Sequence, residues 1–194
     1  MIETKKDLLY YIEQDRLALH INHTKPKWND EIWKYEIILR KHEYYHNKKK
    51  KSLLDKMLLK HYSKIHHKLS IKYTTSVPIN VCGPGLSIAH FGALYINSKS
   101  KIGKNLRIQS GVTIGGSYST PNRFPILGDN VYIGTGAKIL GGVTIANDVA
   151  IGANAVVVKD ILEEATSHAG VPSKKVSNNS SRLYIDKRLF EWLK

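Results

Sequence analysis

The chain has 194 residues, 42% of them hydrophobic and 24% charged, with 30 Lys and Arg against 16 Asp and Glu. That length and apolar content exclude a disordered tail and favour one domain with at most a small appendage. A single cysteine, Cys82, excludes an internal disulfide framework and any paired-cysteine metal or redox site.

No run of about 18 apolar residues occurs, so no spanning helix is expected. The opening segment MIETKKDLLYYIEQD carries charges where a secretory leader needs an apolar stretch. The expectation is a soluble, cytoplasmic protein. The net charge is +14, and residues 1–80 hold 17 Lys and Arg against 9 Asp and Glu, so +8 of it lies there. Such a charge attracts phosphates of any kind, although on helices it usually marks solvated faces.

Residues 1–74 read as a helical segment. Thr4 with Asp7 forms a capping-box pattern, and Leu8, Leu9 and Ile12 follow at helical spacing. The Pro26 region breaks the pattern. A second helix is expected from Asn29 or Asp30, with Ile32, Tyr35 and Leu39 on one face. The run Lys48 to Lys51 reads as a solvated joint. Leu54, Met57, Leu58, Ile65 and Leu69 mark a third amphipathic helix. Pro78, Gly83, Pro84 and Gly85 end the helical part.

Beyond residue 95 the period becomes six. Ile96, Ile102, Ile108 and Ile114 are each six apart, and the series resumes at Leu127, Ile133, Ile139, Ile145, Ile151 and Val157. Neither a helix nor a plain strand has that period. A coil of three short strands and three tight corners has it, each aliphatic pointing into a triangular interior. The step from Ile114 to Leu127 is thirteen, so the segment SYSTPNRFPI, residues 117–126, bulges from the coil. Insertions in solenoids fall on one face, often the binding face. Residues 160–166 are read as leaving the repeat. The tail from Arg182 is read as helical, with Leu183, Leu189, Trp192 and Leu193 available to pack on a neighbour.

The motifs NVCGPGLSIAHFGALYIN, SGVTIGGS, GDNVYIGTGAKILGGVTI and AGVPSKKV resemble those of the hexapeptide-repeat acyltransferases. Within that family the likeness is to the serine O-acetyltransferase branch, nearest to the O-acetyltransferases of capsule and exopolysaccharide synthesis. It covers about residues 75–176. The resemblance implies a mainly β chain: a left-handed parallel β-helix over 75–176, an N-terminal helical segment over 1–74, and a tail with a short helix over 177–194. It also implies a homotrimer using acetyl-CoA, without a metal, in clefts between subunits.

On the same resemblance His90 is the catalytic base. It is the only histidine between residues 68 and 167. A hydroxyl is too weak an acid to attack a thioester unaided, and an imidazole titrating near neutrality can take its proton and pass it to the departing thiolate. The family match places pantetheine along Gly116, Ser117, Thr135, Gly136 and Ala153, with Lys174 and Lys175 meeting the nucleotide phosphates. Arg123 and Phe124, in the inserted loop, are the acceptor-binding residues.

The chain departs from the serine enzymes at three places. Ala89 stands where they carry an aspartate that holds the substrate amine. Thr75 stands where an aspartate orients the imidazole, and Phe124 replaces a histidine. A neutral sugar needs no carboxylate, so the sequence favours an O-acetyltransferase acting on a saccharide hydroxyl in capsule or exopolysaccharide synthesis. The alternatives are serine O-acetyltransferase of cysteine synthesis, and a non-catalytic basic solenoid binding nucleic acid or a partner protein. On the favoured reading no nucleic acid partner is expected, and the basic helices would sit peripherally at a membrane.

Other signals are discounted. His42-Glu43-Tyr44-Tyr45-His46 matches the HExxH zinc pattern, but it lies on basic helices with no third ligand in view. Cys82 reads as a small buried hydrophobe rather than an acyl-carrying nucleophile.

Overall fold

A computed structural model describes residues 1–117 and 123–191. Three helices, α1 (Lys5–Ala18), α2 (Glu31–Asn47) and α3 (Leu53–Lys72), precede the strands. The capping box at Thr4 forms: the Thr4 hydroxyl accepts from Asp7 N at 3.1 Å, and Asp7 Oδ2 accepts from Thr4 N at 2.8 Å. Asp30 is the residue before α2. A second capping box, Ser52 with Asp55, starts α3. Lys48 and the Ser52 groups hold the Asp55 carboxyl low, at about 2.

The hexad series becomes three parallel faces. The first stacks Thr75–Ser76, Leu94–Ile96, Thr113–Gly115, Lys138–Leu140 and Val156–Val157. The second stacks Lys101–Ile102, Ile126–Leu127 and Thr144–Ile145. The third stacks Ser87–Ile88, Arg107–Ile108, Tyr132–Ile133, Ala150–Ile151 and Ser167–Ala169, and is edged by the antiparallel Lys174–Ser177. This is a left-handed parallel β-helix with helices at its N-terminal end. All ten phased aliphatics are buried, none more than 6% exposed. The repeat also runs further than its hexads suggest: Ile161 bridges in parallel to Ile145, so the second face continues where residues 160–166 were expected to leave it.

One corner carries an amide ladder. Asn105 Nδ2 donates to Asn130 Oδ1 and Asn130 Nδ2 to Asp148 Oδ1, each at 2.8 Å. All three adopt positive φ, near 60°, a conformation that Asn and Asp tolerate better than most side chains.

The helical segment buries charge as well as exposing it. Asp15, Glu36, Arg40 and Glu43 are each at most 2% exposed. Arg40 donates to Asp15, to Glu43, and to the carbonyls of Cys82 and Gly83 at 2.9 and 2.7 Å. Asp15 Oδ1 accepts from Gly85 N and Leu86 N, and Glu36 Oε1 from Ile88 N. The helices therefore close the open end of the first coil with charge-assisted bonds to its backbone, leaving few of its polar groups unsatisfied.

The tail forms the short helix expected of it, and packs on its own chain rather than on a neighbour. It forms a 3₁₀ turn, Ser181–Tyr184, and one short helix, Arg188–Glu191. Leu189 packs with Ile185 on Leu17 and Ala18 of α1, within the same chain, while Leu183 is exposed. Trp192 and Leu193 lie outside the described residues. Among the described residues no helix is long and apolar enough to cross a membrane.

Candidate active site

His90 sits at the corner where the third face turns into the first. Ile88, fully buried, anchors the incoming strand, and Gly92 (φ 118°) and Ala93 (φ 48°) make the bend. Phe91 stacks on Tyr73 with centroids 3.9 Å apart and meets Tyr35 edge-on at 5.7 Å. Those rings hold one side of the corner against the helices and leave His90 exposed on the other. Thr75 is buried close by: its hydroxyl accepts from Gly92 N at 3.4 Å and donates to Tyr73 O. Among the described residues nothing hydrogen-bonds the His90 ring.

A groove of about 460 Å³ opens beside His90, lined by His20, Asp30, Glu31, Trp33 and Arg107 among others. Asp30 Oδ2 lies 2.6 Å from His23 Nε2 and accepts from Lys27 N at 2.6 Å. Burial pushes the Asp30 carboxyl up, but those two hydrogen bonds outweigh it and leave the group below its ordinary value. Glu31 accepts from Tyr73 Oη at 2.5 Å, which also lowers its carboxyl. Both stay ionised at neutral pH. Arg107 Nη1 donates to Ser87 Oγ at 2.8 Å. Trp33 is 2% exposed, and its indole Nε1 has no partner among the described residues. The groove thus offers two carboxylates and a guanidinium beside an imidazole, a set that suits a zwitterion.

Asp30, Glu31 and Arg107 were not read as site residues from the sequence. Asp30 was legible only as a helix start, and Arg107 only as a residue before a hexad aliphatic.

Strand register sorts the expected donor residues into two columns. Ile88, Ile108, Ile133 and Ile151 are aligned across the third face, so His90, Ser110, Thr135 and Ala153, each two residues on, descend one corner. Gly136 N donates to Ser110 O and Asn154 N to Thr135 O down that corner. At rungs of about 4.8 Å, Thr135 and Ala153 lie two and three rungs from His90. Gly116 and Ser117 belong to the next corner, with Gly141 and Lys159 in line below.

That second corner carries a hollow of about 790 Å³ lined by Gly116, Ser117, Arg123, Leu140, Gly142 and Lys159. Arg123 lies tight against Gly142 and Phe124 against Gly116; a Cβ at Gly116 would come within 2.8 Å of the Phe124 ring. Lys99 Nζ stands 5.0 Å from the Phe124 ring centroid, a cation–π contact. Lys174 and Lys175 line a smaller hollow with Lys159 and His168, and Lys175 pairs with Glu163 at 2.5 Å. Within one copy, then, His90, Thr135, Gly136 and Ala153 share one corner, while Gly116, Ser117, Arg123 and Phe124 share another. The central part of the inserted loop, residues 118–122, lies outside the described residues.

Residues 124–159 match the family model described as bacterial transferase hexapeptide (six repeats). Over those residues the chain is similar to the hexapeptide-repeat transferases. Serine acetyltransferase from Helicobacter pylori strain J99 is 39% identical over 98 residues, 50% of this chain and 57% of that protein. The serine acetyltransferase of Mycobacterium tuberculosis strain H37Rv is 40% identical over 103 residues, 53% of this chain and 44% of that one. The chain thus spans about half the length of the curated relatives it matches. In fold it resembles the crystal structure of Brucella abortus serine acetyltransferase, with TM-score 0.68 and 21% identity over 91% of this chain and 72% of that one. The Neisseria gonorrhoeae serine acetyltransferase gives TM-score 0.65 at 24% identity, covering 90% and 68%.

Relatives of this kind are named serine acetyltransferases, and they overturn the expectation of a saccharide acceptor in capsule synthesis. That expectation rested on the lost carboxylate at Ala89, judged from one corner of the coil. The helical segment brings Asp30 and Glu31 to the same groove, which removes the physical ground for a neutral acceptor.

The discounted motifs have other work. Glu43 of the HExxH match is buried against Arg40, and His42 Nδ1 lies 3.1 Å from His66 Nδ1. Among the described residues no three His, Cys, Asp or Glu side chains are arranged to hold a metal ion. Cys82 is buried, and desolvation pushes its thiol up to about 12.

Proposed function

We propose that the chain is an acetyl-CoA-dependent serine O-acetyltransferase, acting in the cytoplasm as a homotrimer with His90 as general base. The observation that carries this reading is the groove at His90, which Asp30, Glu31 and Arg107 line together with the exposed imidazole. The serine acetyltransferases among its relatives support it, as do the Brucella abortus enzyme crystallised with coenzyme A and the Neisseria gonorrhoeae enzyme crystallised with serine.

In this reading the serine ammonium lies against Asp30 and Glu31. The carboxylate is held by Arg107 or by Arg123 of a neighbouring copy. A bidentate guanidinium–carboxylate contact fixes the substrate so that its hydroxyl faces His90. The imidazole removes the hydroxyl proton as oxygen attacks the thioester carbonyl. On collapse of the tetrahedral intermediate the proton passes to the leaving thiolate. O-acetylserine and coenzyme A are the products.

The two-corner division supports the trimer. The column His90, Ser110, Thr135, Ala153 of one copy would face the column Gly116, Gly141, Lys159 of the next. Pantetheine would lie between them, against small residues that admit its close approach. Lys174 and Lys175 would lie toward the nucleotide phosphates, as point charges.

The test is product identification. The full-length chain incubated with acetyl-CoA and L-serine is expected to yield O-acetylserine by mass spectrometry, with coenzyme A released in equal amount. Coenzyme A release without an acetylated serine would contradict the reading.

A further inference from the structure

Helix α3 turns its inner side toward α2, where His66 meets Tyr35 and His42, and Tyr62 stacks on Tyr45. Its outer side covers nothing in the described residues. Lys56, Lys60, Lys64, Lys68 and Lys72 recur every fourth residue and all are exposed. Its one acid, Asp55, is buried against Lys48. Among the described residues no carboxylate lies within ion-pair distance of Lys56, Lys60, Lys64 or Lys68. The same side exposes large apolar groups: Leu53 at 81%, Leu54 at 63%, Met57 at 70% and Ile71 at 65%. Three- and four-residue spacing puts Leu53, Met57, Lys60, Lys64 and Ile71 on one stripe, and the exposed Lys49 and Lys50 precede it.

We propose that this outward face of α3 docks reversibly on an anionic phospholipid surface, lysines at the headgroups and Leu53, Leu54 and Met57 at the acyl boundary. The pairing of acid-free basic charge with protruding aliphatics selects that occupant. Lysines near an anionic leaflet each strengthen binding on the order of fivefold, and exposed apolar side chains add area that water penalises. A nucleic acid backbone would use the lysines and leave the leucines and Met57 without a partner. A second copy of the same face would set lysines against lysines, a like-charge contact that opposes association. The inference stands apart from the acceptor assignment, since it uses none of the residues around His90.

The test is co-sedimentation of the full-length chain with vesicles of mixed phosphatidylglycerol and phosphatidylcholine, and with pure phosphatidylcholine. Binding is expected to the anionic vesicles at low salt, to fall at high salt, and to be absent from the neutral ones. The charge-reversal variant Lys60→Glu/Lys64→Glu/Lys68→Glu is expected to lose affinity more than about tenfold. The Leu53→Ser/Met57→Ser variant, with charge unchanged, is expected to bind measurably more weakly. Circular dichroism of each variant should match the parent, because every altered side chain is exposed. The proposal is overturned if the parent ignores anionic vesicles at low salt, or if charge reversal leaves binding intact. It is equally overturned if Leu53→Ser/Met57→Ser binds as the parent does while duplex DNA strips both from the vesicles, which would mark a general polyanion surface.

Discussion

The guanidinium of Arg40 grips the carboxylate of Asp15 with Nε and Nη2, at 2.7 and 3.2 Å, and both side chains are sealed from solvent. The pair joins α2 to α1, and its remaining bonds reach the buried Glu43 carboxylate and the backbone of residues 82–86. Removing one partner strands a buried charge, which costs about 3–5 kcal/mol. Asp15→Asn or Arg40→Met should therefore lower the unfolding free energy by that amount in denaturant titrations. A loss below about 1 kcal/mol, the range of an exposed ion pair, would show that the helices do not close the coil through this bond.

The groove beside His90 predicts a split in kinetic parameters. On the proposed function Asp30→Asn and Arg107→Met each remove a charge-assisted contact to the acceptor and should raise KM for L-serine about tenfold or more. KM for acetyl-CoA should stay near the parent value, because the proposed donor path uses a different set of residues. Steady-state kinetics with each substrate varied in turn checks this. Unchanged KM for L-serine in both variants would remove these residues from the acceptor site.

Cys82 should be chemically silent. Its thiol is buried and pushed up to about 12 by desolvation, and only a thiolate is a good nucleophile. The native chain should resist thiol-modifying reagents at pH 8 until denatured, and Cys82→Ala should keep the parent turnover. An acetylated cysteine trapped by mass spectrometry would point instead to a covalent route.

His66 ties stability to pH. Burial, then His42 and His67, depress it from 6.5 to about 4. As pH falls below 6.5 the unfolded chain takes up this proton before the folded one does. Stability is therefore lost between about pH 6.5 and pH 4 and stays level below, by roughly 3 kcal/mol at most. Asp15, Glu36 and Glu43, raised by burial, push the other way in acid. The test is consequently the difference between the parent and His66→Gln in unfolding free energy. That gap should narrow from pH 7 to pH 5; a constant gap would contradict the assignment.

The hexad series was legible in the sequence because each aliphatic reports only its own rung, and Ile96 to Val157 meet that local requirement in phase. The two-corner division was legible in principle too. A full turn is eighteen residues where no insertion intervenes, as from Ile133 to Ile151, so counting assigns Thr135 and Gly116 to different corners. The groove was not legible: it depends on α1 and α2 folding back over the first coil, so that Asp30 lines the same groove as His90, sixty residues away in sequence. The buried charges failed for a related reason. Glu36, Arg40 and Glu43 resemble a solvated stripe until their spacing is set beside Tyr35 and Leu39, which share the inward side.

The account turns on His90 as the base. The most direct measurement is the initial rate of coenzyme A thiol release from acetyl-CoA with L-serine, for the parent and for His90→Ala. Loss of a positioned general base should lower kcat by about 10²- to 10⁴-fold while the variant unfolds at the same denaturant concentration as the parent. A His90→Ala protein that releases thiol at the parent rate with L-serine would contradict it.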